Sequence, residues 1–162
     1  MQIPSEISLP VKKALSRLSI GDLTTGEMLA YLTDPRRKTT AFSPEIAERT
    51  VALLVSQGFL DDKRYLKLMV KRLEEKGYGP RRIRQELVRH RFPNRYIEAV
   101  MQREVNLPRR AVSFLQKKAG AEKAARSPEG RKKLIDSLVR FGYDYSTARI
   151  AVQAFSKTDD FE

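Results

Sequence analysis

The sequence predicts an all-α protein built from three tandem three-helix repeats, and three observations support that prediction. The apolar residues follow helical spacing almost throughout, and the alternating pattern typical of strands is absent. Residues that favour helix starts and helix ends recur at the boundaries of these stretches. Related segments also return at an interval near 50 residues, which is typical of stacked helical units too small to bury their apolar faces alone.

The middle of the chain gives the clearest succession of helices. The first is predicted to begin at Asp61 or Asp62, whose carboxylates suit free N–H groups, and to end at Gly77. A second begins at Pro80, because proline at the first turn loses no intrahelical hydrogen bond. A third begins near Pro93. Together these helices form the predicted middle repeat.

An aromatic residue marks the joint between the second and third helices of each predicted repeat. Phe42, Phe92 and Tyr143 are separated by 50 and 51 residues, and the segment LVRHRF parallels LVRFGY at the same interval. The predicted divisions are repeats at 8–58, 59–105 and 106–156, an acidic tail at 157–162, and long loops at 34–40 and 120–127.

The charge of the chain points to a negatively charged partner. The formal net charge is +12 over 162 residues. Residues 1–60 carry seven basic and six acidic side chains, residues 61–105 carry thirteen and seven, and residues 106–162 carry twelve and seven. The excess of positive charge therefore lies in the middle and late parts of the chain. Nucleic acid, an acidic protein or an anionic membrane surface would all be attracted to it.

Several kinds of chemistry are excluded or disfavoured. The absence of cysteine excludes disulfides, thiolate zinc sites and cysteine nucleophiles. The single histidine, His90, is predicted to pack against neighbouring residues, and no metal-ligand cluster is visible. The GYGP glycines lack the spacing of a phosphate loop. We expect a protein that is not an enzyme, with no catalytic residues, no cofactor and no metal.

The location of the protein is also constrained by its sequence. No window approaches about eighteen uninterrupted apolar residues, as a membrane span would. The first residues lack the basic start and apolar run of a secretory signal. We therefore expect a soluble cytoplasmic protein, without membrane contact and monomeric.

The candidate binding surface consists of basic side chains on the exposed faces of the predicted helices. A solvated surface is the alternative, but few acidic residues interleave with these bases, so a polyanion would relieve their repulsion. Arginine prevails in the second helix of the middle repeat and suits bidentate phosphate or carboxylate contact. The candidates are Lys67, Lys71, Arg72, Lys76, Arg81, Arg82, Arg84, Arg89, Arg131, Lys132 and Lys133.

The segments GFLDDKRY at 58–65 and KGYGPRRIRQEL at 76–87 closely resemble the RecX regulatory family. The resemblance is looser but continuous from about residue 15 to residue 155. It implies an elongated, curved, basic array of three-helix repeats. It also implies binding in the groove of the RecA–single-stranded DNA filament, with suppression of ATP hydrolysis, strand exchange and coprotease activity. The family's basic segment maps onto Lys76, Arg81, Arg82 and Arg84.

Other functions remain open from the residues themselves. The first repeat departs from the family pattern, because IGDLTTGEMLAYLTD and the basic loop DPRRKTT replace its dense Arg/Glu helix. A stand-alone DNA- or RNA-binding module of helix-turn-helix character is the main alternative, with duplex DNA as a further partner. An adaptor for an acidic protein, without nucleic acid, is a third hypothesis.

Overall fold

The computed structural model describes residues 5–36, 41–103 and 106–158, and within these ranges it contains helices and no strand. The predicted all-α class is therefore confirmed. The predicted loop at 34–40 and the tail at 157–162 lie largely outside the described residues. The helices are α1 Ser5–Leu18, α2 Thr25–Thr33, α3 Pro44–Ser56, α4 Asp62–Glu75, α5 Pro80–Arg89, α6 Asn94–Met101, α7 Leu107–Gln116, α8 Ala121–Ala125, α9 Pro128–Arg140 and α10 Tyr145–Thr158.

Short polar side chains begin most of these helices. Asp61 caps α4, because its Oδ1 accepts a hydrogen bond from the Arg64 N–H at 2.9 Å. The Ser43 hydroxyl accepts from the Ile46 N–H at the start of α3, and the following Pro44 occupies the first turn. Asn106 and Ser127 begin α7 and α9 in the same way. Of the two acidic candidates for the α4 cap, Asp61 is thus the one that fills it.

Four helix ends share one construction. Gly58, Gly77, Arg91 and Gly142 have φ values of +74°, +80°, +53° and +96° and directly follow the last turns of α3, α4, α5 and α9. In each case the next N–H bonds the carbonyl five residues back: Phe59 to Leu54, Tyr78 to Leu73, Phe92 to Leu87 and Tyr143 to Leu138. Glycine adopts this left-handed conformation without strain, whereas a residue with a Cβ loses about 1 kcal/mol. Arg91 is therefore the unusual member.

The chain divides into two compact units. The first unit takes in the chain up to Met69 together with Leu87–Glu98. In it α1, α2 and α3 pack on one another around an apolar core. Met28, Leu32 and Leu54 are almost completely buried there. Phe42, one of the aromatics at the predicted joints, is partly buried against this core.

The second unit takes in Val70–Glu86 and the chain from Ala99 onwards. Here α10 packs on α7 and α9, and α8 packs on α9. Tyr143, Leu115 and Leu138 are completely buried in its core. Ile150 on α10 is 49% exposed and takes no part in this core.

The loop predicted at 120–127 contains the short helix α8. Alanine favours a helix, but five residues are too few for an apolar stripe to be recognised in the sequence. Its last turn lies directly against the start of α9, since a Cβ on Gly130 would overlap the Ala124 carbonyl. Because α4, α5 and α6 each have residues in both units, the repeat boundaries at 8–58, 59–105 and 106–156 stay a prediction.

Candidate nucleic-acid interface

The exposed face of α4 carries a regular row of positive charges. Lys63, Lys67 and Lys71 follow at intervals of four residues and are all exposed, so they lie along one side of the helix. Arg72 is also exposed, and Lys76 follows at the end of the helix. The Lys71 Nζ lies 3.9 Å from Glu75 Oε1, which is a weak surface pair. Within the described residues, no other ion pair engages this row.

Helix α5 separates its charge from its apolar side. Ile83 and Leu87 are 2% and 0% exposed, whereas Arg81, Arg84 and Arg89 are exposed. The first turn contains no acidic residue. Cations at the positive end of a helix are unfavourable by about 0.3–1 kcal/mol each, so this arrangement weakens the helix. An anion bound at this end would compensate for that loss.

Arg82 is partly committed to contacts within the second unit. Its Nε lies 3.3 Å from Glu86 Oε1, and its guanidinium carbon lies 5.5 Å from the centroid of the Tyr78 ring. The side chain nevertheless remains 45% exposed. Its guanidinium is thus held in a defined place and still reaches solvent.

The start of α5 is fixed by main-chain hydrogen bonds to the end of α9. The Gly79 N–H donates to the Phe141 carbonyl at 2.8 Å, and the Arg81 N–H donates to the Gly142 carbonyl at 3.1 Å. A Cβ on Gly142 would lie only 2.5 Å from the Arg82 nitrogen. The backbone that carries Arg81 and Arg82 is therefore packed without space for movement.

The three candidates on α9 differ in availability. Lys132 and Lys133 are exposed. Arg131 is half-buried, and its Nη1 donates to the Ala125 carbonyl at 2.8 Å, so it helps to hold α8 against α9. Sequence reasoning placed these three residues together because it did not predict a helix at α8.

The candidates are divided between the two compact units. Lys67 and Arg89 belong to the first unit. Lys71, Arg72, Lys76, Arg81, Arg82, Arg84, Arg131, Lys132 and Lys133 belong to the second. Sequence reasoning left Arg91 out of the set, although the parallel of LVRHRF with LVRFGY aligns it with Gly142.

His90 has a structural role in the first unit. Its Nδ1 lies 2.8 Å from Glu27 Oε1, and its carbonyl accepts a hydrogen bond from the Thr24 hydroxyl at 2.7 Å. Glu27 also accepts from the Thr24 N–H, which completes a capping box at the start of α2. The end of α5 is thus joined to the start of α2, which agrees with the predicted packing role of His90.

The Asp62 carboxylate also forms hydrogen bonds at the start of α2. It is 8% exposed, and its two oxygens accept hydrogen bonds from the Thr25 N–H at 2.8 Å and the Thr25 hydroxyl at 2.7 Å. Both members of the acidic pair therefore serve helix starts, Asp61 for α4 and Asp62 for α2. No group of three or more His, Cys, Asp and Glu residues suited to a metal ion occurs in the described ranges.

The aromatic residues near the basic helices are used for packing. The Tyr65 and Phe92 ring centroids lie 5.6 Å apart, and those of Tyr78 and Phe141 lie 5.7 Å apart. These distances suit tilted aromatic pairs within an apolar core. The rings are therefore engaged with one another.

Comparison with known proteins gives one family and several relatives. Residues 61–101 match the family described as "RecX, second three-helix domain". The chain is 28% identical over 145 residues to Regulatory protein RecX of Xanthomonas campestris pv. campestris (strain B100), covering 89% of this chain and 86% of that protein. It is 29% identical over 145 residues to Regulatory protein RecX of Stenotrophomonas maltophilia (strain R551-3), covering 89% and 85%.

The fold and the exposed charge define an all-helical basic protein whose short helices end in tight left-handed turns. The matched segment coincides with α4, α5 and α6, and the first two of these helices carry the basic faces described above. Over most of its length the chain is similar to RecX regulatory proteins, and its residues 61–101 match the second three-helix domain of that family. Among the described residues, no helix has the length and apolarity needed to cross a membrane.

Proposed function

We propose that this protein binds the filament that a RecA recombinase forms on single-stranded DNA, and lowers its ATPase, strand-exchange and coprotease activities. It acts by binding and catalyses no reaction of its own. Its site of action is the cytoplasm, where it works as a monomer. Sequence-independent phosphate contact by lysine and arginine supplies most of the affinity for the nucleic acid.

The observation that carries the proposal is the coincidence of charge and family match. Residues 61–101 match a RecX domain, and the same residues contain the basic face of α4 and the arginines of α5. The absence of an acid in the first turn of α5 leaves Arg81 uncompensated within its own helix. Relatives with this domain are named as regulatory proteins, which agrees with a role in binding.

The central experiment is a titration of the protein into a RecA filament on single-stranded DNA, with ATP hydrolysis as the readout. We expect inhibition at amounts below one protein per RecA protomer, and weaker inhibition at higher salt because phosphate contacts are screened. Unchanged hydrolysis at every ratio would refute the proposal. Tight binding to naked duplex with no effect on RecA would support the stand-alone DNA-binding alternative.

A charge reversal tests the surface of α5 directly. The double substitution Arg81→Glu and Arg82→Glu should abolish most of the inhibition, because two phosphate-directed cations become anions. Helicity should be retained, since acidic residues suit the first turn of a helix. The measurement is the inhibitor concentration for half-maximal ATPase, together with circular dichroism.

The matched control changes the net charge by the same amount elsewhere. Lys12 on α1 and Arg149 on α10 are both exposed and lie outside the candidate surface. The double substitution Lys12→Glu and Arg149→Glu should lower inhibition much less than the reversal on α5. Equal losses from both double variants would mean that total charge, and no particular face, governs binding.

A further inference from the structure

Arg91 occupies a position where the chain otherwise uses glycine. Three of the four helix ends with this hydrogen-bonding pattern have glycine at the left-handed residue, and the fourth has Arg91 at φ +53°. Gly142 is its counterpart in the segment that parallels LVRHRF. A side chain in this conformation strains the backbone, and such strain is typical of functional sites.

The local structure does not require the Arg91 side chain. The Phe92 N–H bonds the Leu87 carbonyl and the Arg91 N–H bonds the Val88 carbonyl, and both bonds involve main-chain atoms alone. The Arg91 side chain is exposed, and it makes no ion pair with a carboxylate of the described residues. Gly26 on α2 makes room for the Arg91 main chain, because a Cβ on Gly26 would lie 2.6 Å from the Arg91 carbonyl oxygen.

Arg91 lines an open groove of about 630 Å³ in the first unit. The groove runs along α2, where Ala30 presents little side-chain volume, and it is lined further on by Asp34 and Arg36. This volume lies within the range of about 300–1,000 Å³ that holds small ligands. A narrow chain with a charged backbone can therefore approach the helix closely.

The charges in the groove favour an anion. Arg36 and Arg91 contribute two guanidinium groups. Asp34, the one carboxylate among the described lining residues, already accepts hydrogen bonds from Arg36 Nε at 3.0 Å and Nη2 at 3.2 Å. The nearby Glu27 carboxylate is bound by Thr24 and His90. The guanidinium of Arg91 is thus the cation of the groove without a carboxylate partner in the described residues.

We propose that Arg91 binds a backbone phosphate of single-stranded DNA that lies in this groove. The inference rests on the proposed function for the identity of its ligand, and it adds the first unit to the DNA-binding surface. The Arg91 side chain is exposed at this helix end, and its planar guanidinium can contact two phosphate oxygens. Neither the charge pattern nor the family motif had placed a site here.

The test exploits the fact that glycine suits the Arg91 backbone. Arg91→Gly removes the guanidinium and relieves the strain, so the thermal unfolding midpoint should not fall. The readout is fluorescence anisotropy of a labelled oligothymidylate at several salt concentrations. We expect affinity to drop about fivefold and the slope of log K against log salt to become shallower by about 0.7, the value for one phosphate on a single strand.

Two controls make the result specific. Arg91→Lys keeps a cation at the same place and should retain most of the affinity and the slope. Arg149→Ala removes one exposed arginine from α10 and should leave the slope within error of the parent protein. If Arg91→Gly binds the oligonucleotide with the parent affinity and slope, the inference is wrong.

The outcome is independent of the recombinase assay. In one outcome the parent protein binds oligothymidylate, Arg91→Gly makes the slope of log K against log salt shallower, and the parent leaves RecA hydrolysis unchanged. That outcome would support the phosphate contact and refute the proposed regulation. A parent protein that inhibits RecA equally with and without Arg91, at the same DNA affinity, would refute the contact and keep the regulation. Absence of any binding to oligothymidylate would also refute the contact.

Discussion

Asp144 shows how much one capping residue contributes at the start of a helix. Its Oδ1 accepts hydrogen bonds from the Ser146 hydroxyl at 2.6 Å and the Thr147 N–H at 2.9 Å, and its Oδ2 accepts from the Thr147 hydroxyl at 2.6 Å. The bonds from Ser146, and then those from Thr147, hold the pKa of Asp144 well below its ordinary value. The carboxylate also suits the positive end of α10.

Replacing Asp144 with alanine should destabilise the protein by about 1–2 kcal/mol at neutral pH, because α10 loses its cap. The folded-state pKa of Asp144 is lowered, so its contribution is present above the unfolded pKa of about 3.9 and is lost as the pH falls through the folded value. Denaturant unfolding at several pH values should show the difference between variant and parent shrink below about pH 4. A difference that stays constant into strong acid would contradict this account.

Among the helices, two ends of α5 make corresponding contacts, one in each unit. In the first unit the Thr24 hydroxyl at the start of α2 donates to the His90 carbonyl at the end of α5. In the second, the Gly79 N–H at the start of α5 donates to the Phe141 carbonyl at the end of α9. His90 and Phe141 hold the same place in LVRHRF and LVRFGY. Positive helix starts thus meet negative helix ends at both places.

Gly142→Ala should disrupt the contact between α5 and α9. The new Cβ would lie 2.5 Å from the Arg82 backbone nitrogen, at a residue whose φ is +96°. Overpacking and left-handed strain together predict a loss of about 3 kcal/mol. The measurement is the free energy of unfolding in urea.

Gly58→Ala is the matched control for this substitution. Gly58 has a similar positive φ of +74°, but nothing lies within 4 Å of its added Cβ. The control should therefore lose only the strain of about 1 kcal/mol. Equal losses at Gly58 and Gly142 would show that the close approach of Arg82 has no energetic importance.

For the molecule as a whole, the net charge of +12 opposes folding through self-repulsion. Most basic side chains of the candidate surface are exposed, so dissolved ions can screen them. The ion pair of Arg82 with Glu86 on this surface is partly exposed, so solvent screens it too. Repulsion between like charges should therefore outweigh pair attraction in dilute buffer.

Added salt should consequently stabilise the protein. Raising sodium chloride from about 0.01 M to about 0.15 M shortens the Debye length from about 30 Å to about 8 Å, which weakens the long-range repulsion. The thermal midpoint, measured by differential scanning fluorimetry, should rise by several degrees. Sucrose at the same osmolality serves as the control. A midpoint that falls with salt would mean that ion pairs dominate the electrostatics.

Local signals were sufficient to predict much of the fold. The helix boundaries predicted at Gly77 and Pro80 are present in the structure, because each residue acts through its own backbone preference. The aromatics Phe42, Phe92 and Tyr143 each precede a helix start by two residues, as their interval predicted.

Long-range partners could not be predicted in this way. The bonds from Thr25 to Asp62 and from Glu27 to His90 span 37 and 63 residues, and no local pattern encodes them. The strain at Arg91 escaped the sequence analysis because arginine has no preference for a left-handed turn. The candidate surface depends on exposure and charge, which helical periodicity predicts well. The hydrogen bond from Arg131 to the Ala125 carbonyl could not be predicted, because it depends on helix α8.

The contrast between the two ends of α5 has a consequence for how this protein can diverge. At one end Thr24 and Glu27 close the contact through side chains. At the other, main-chain groups of Gly79 and Gly142 do so. A codon change can delete a hydroxyl or a carboxylate but cannot delete a peptide group. Natural variation can therefore change the contact between α5 and α2 step by step. The contact between α5 and α9 tolerates little besides glycine at positions 79 and 142.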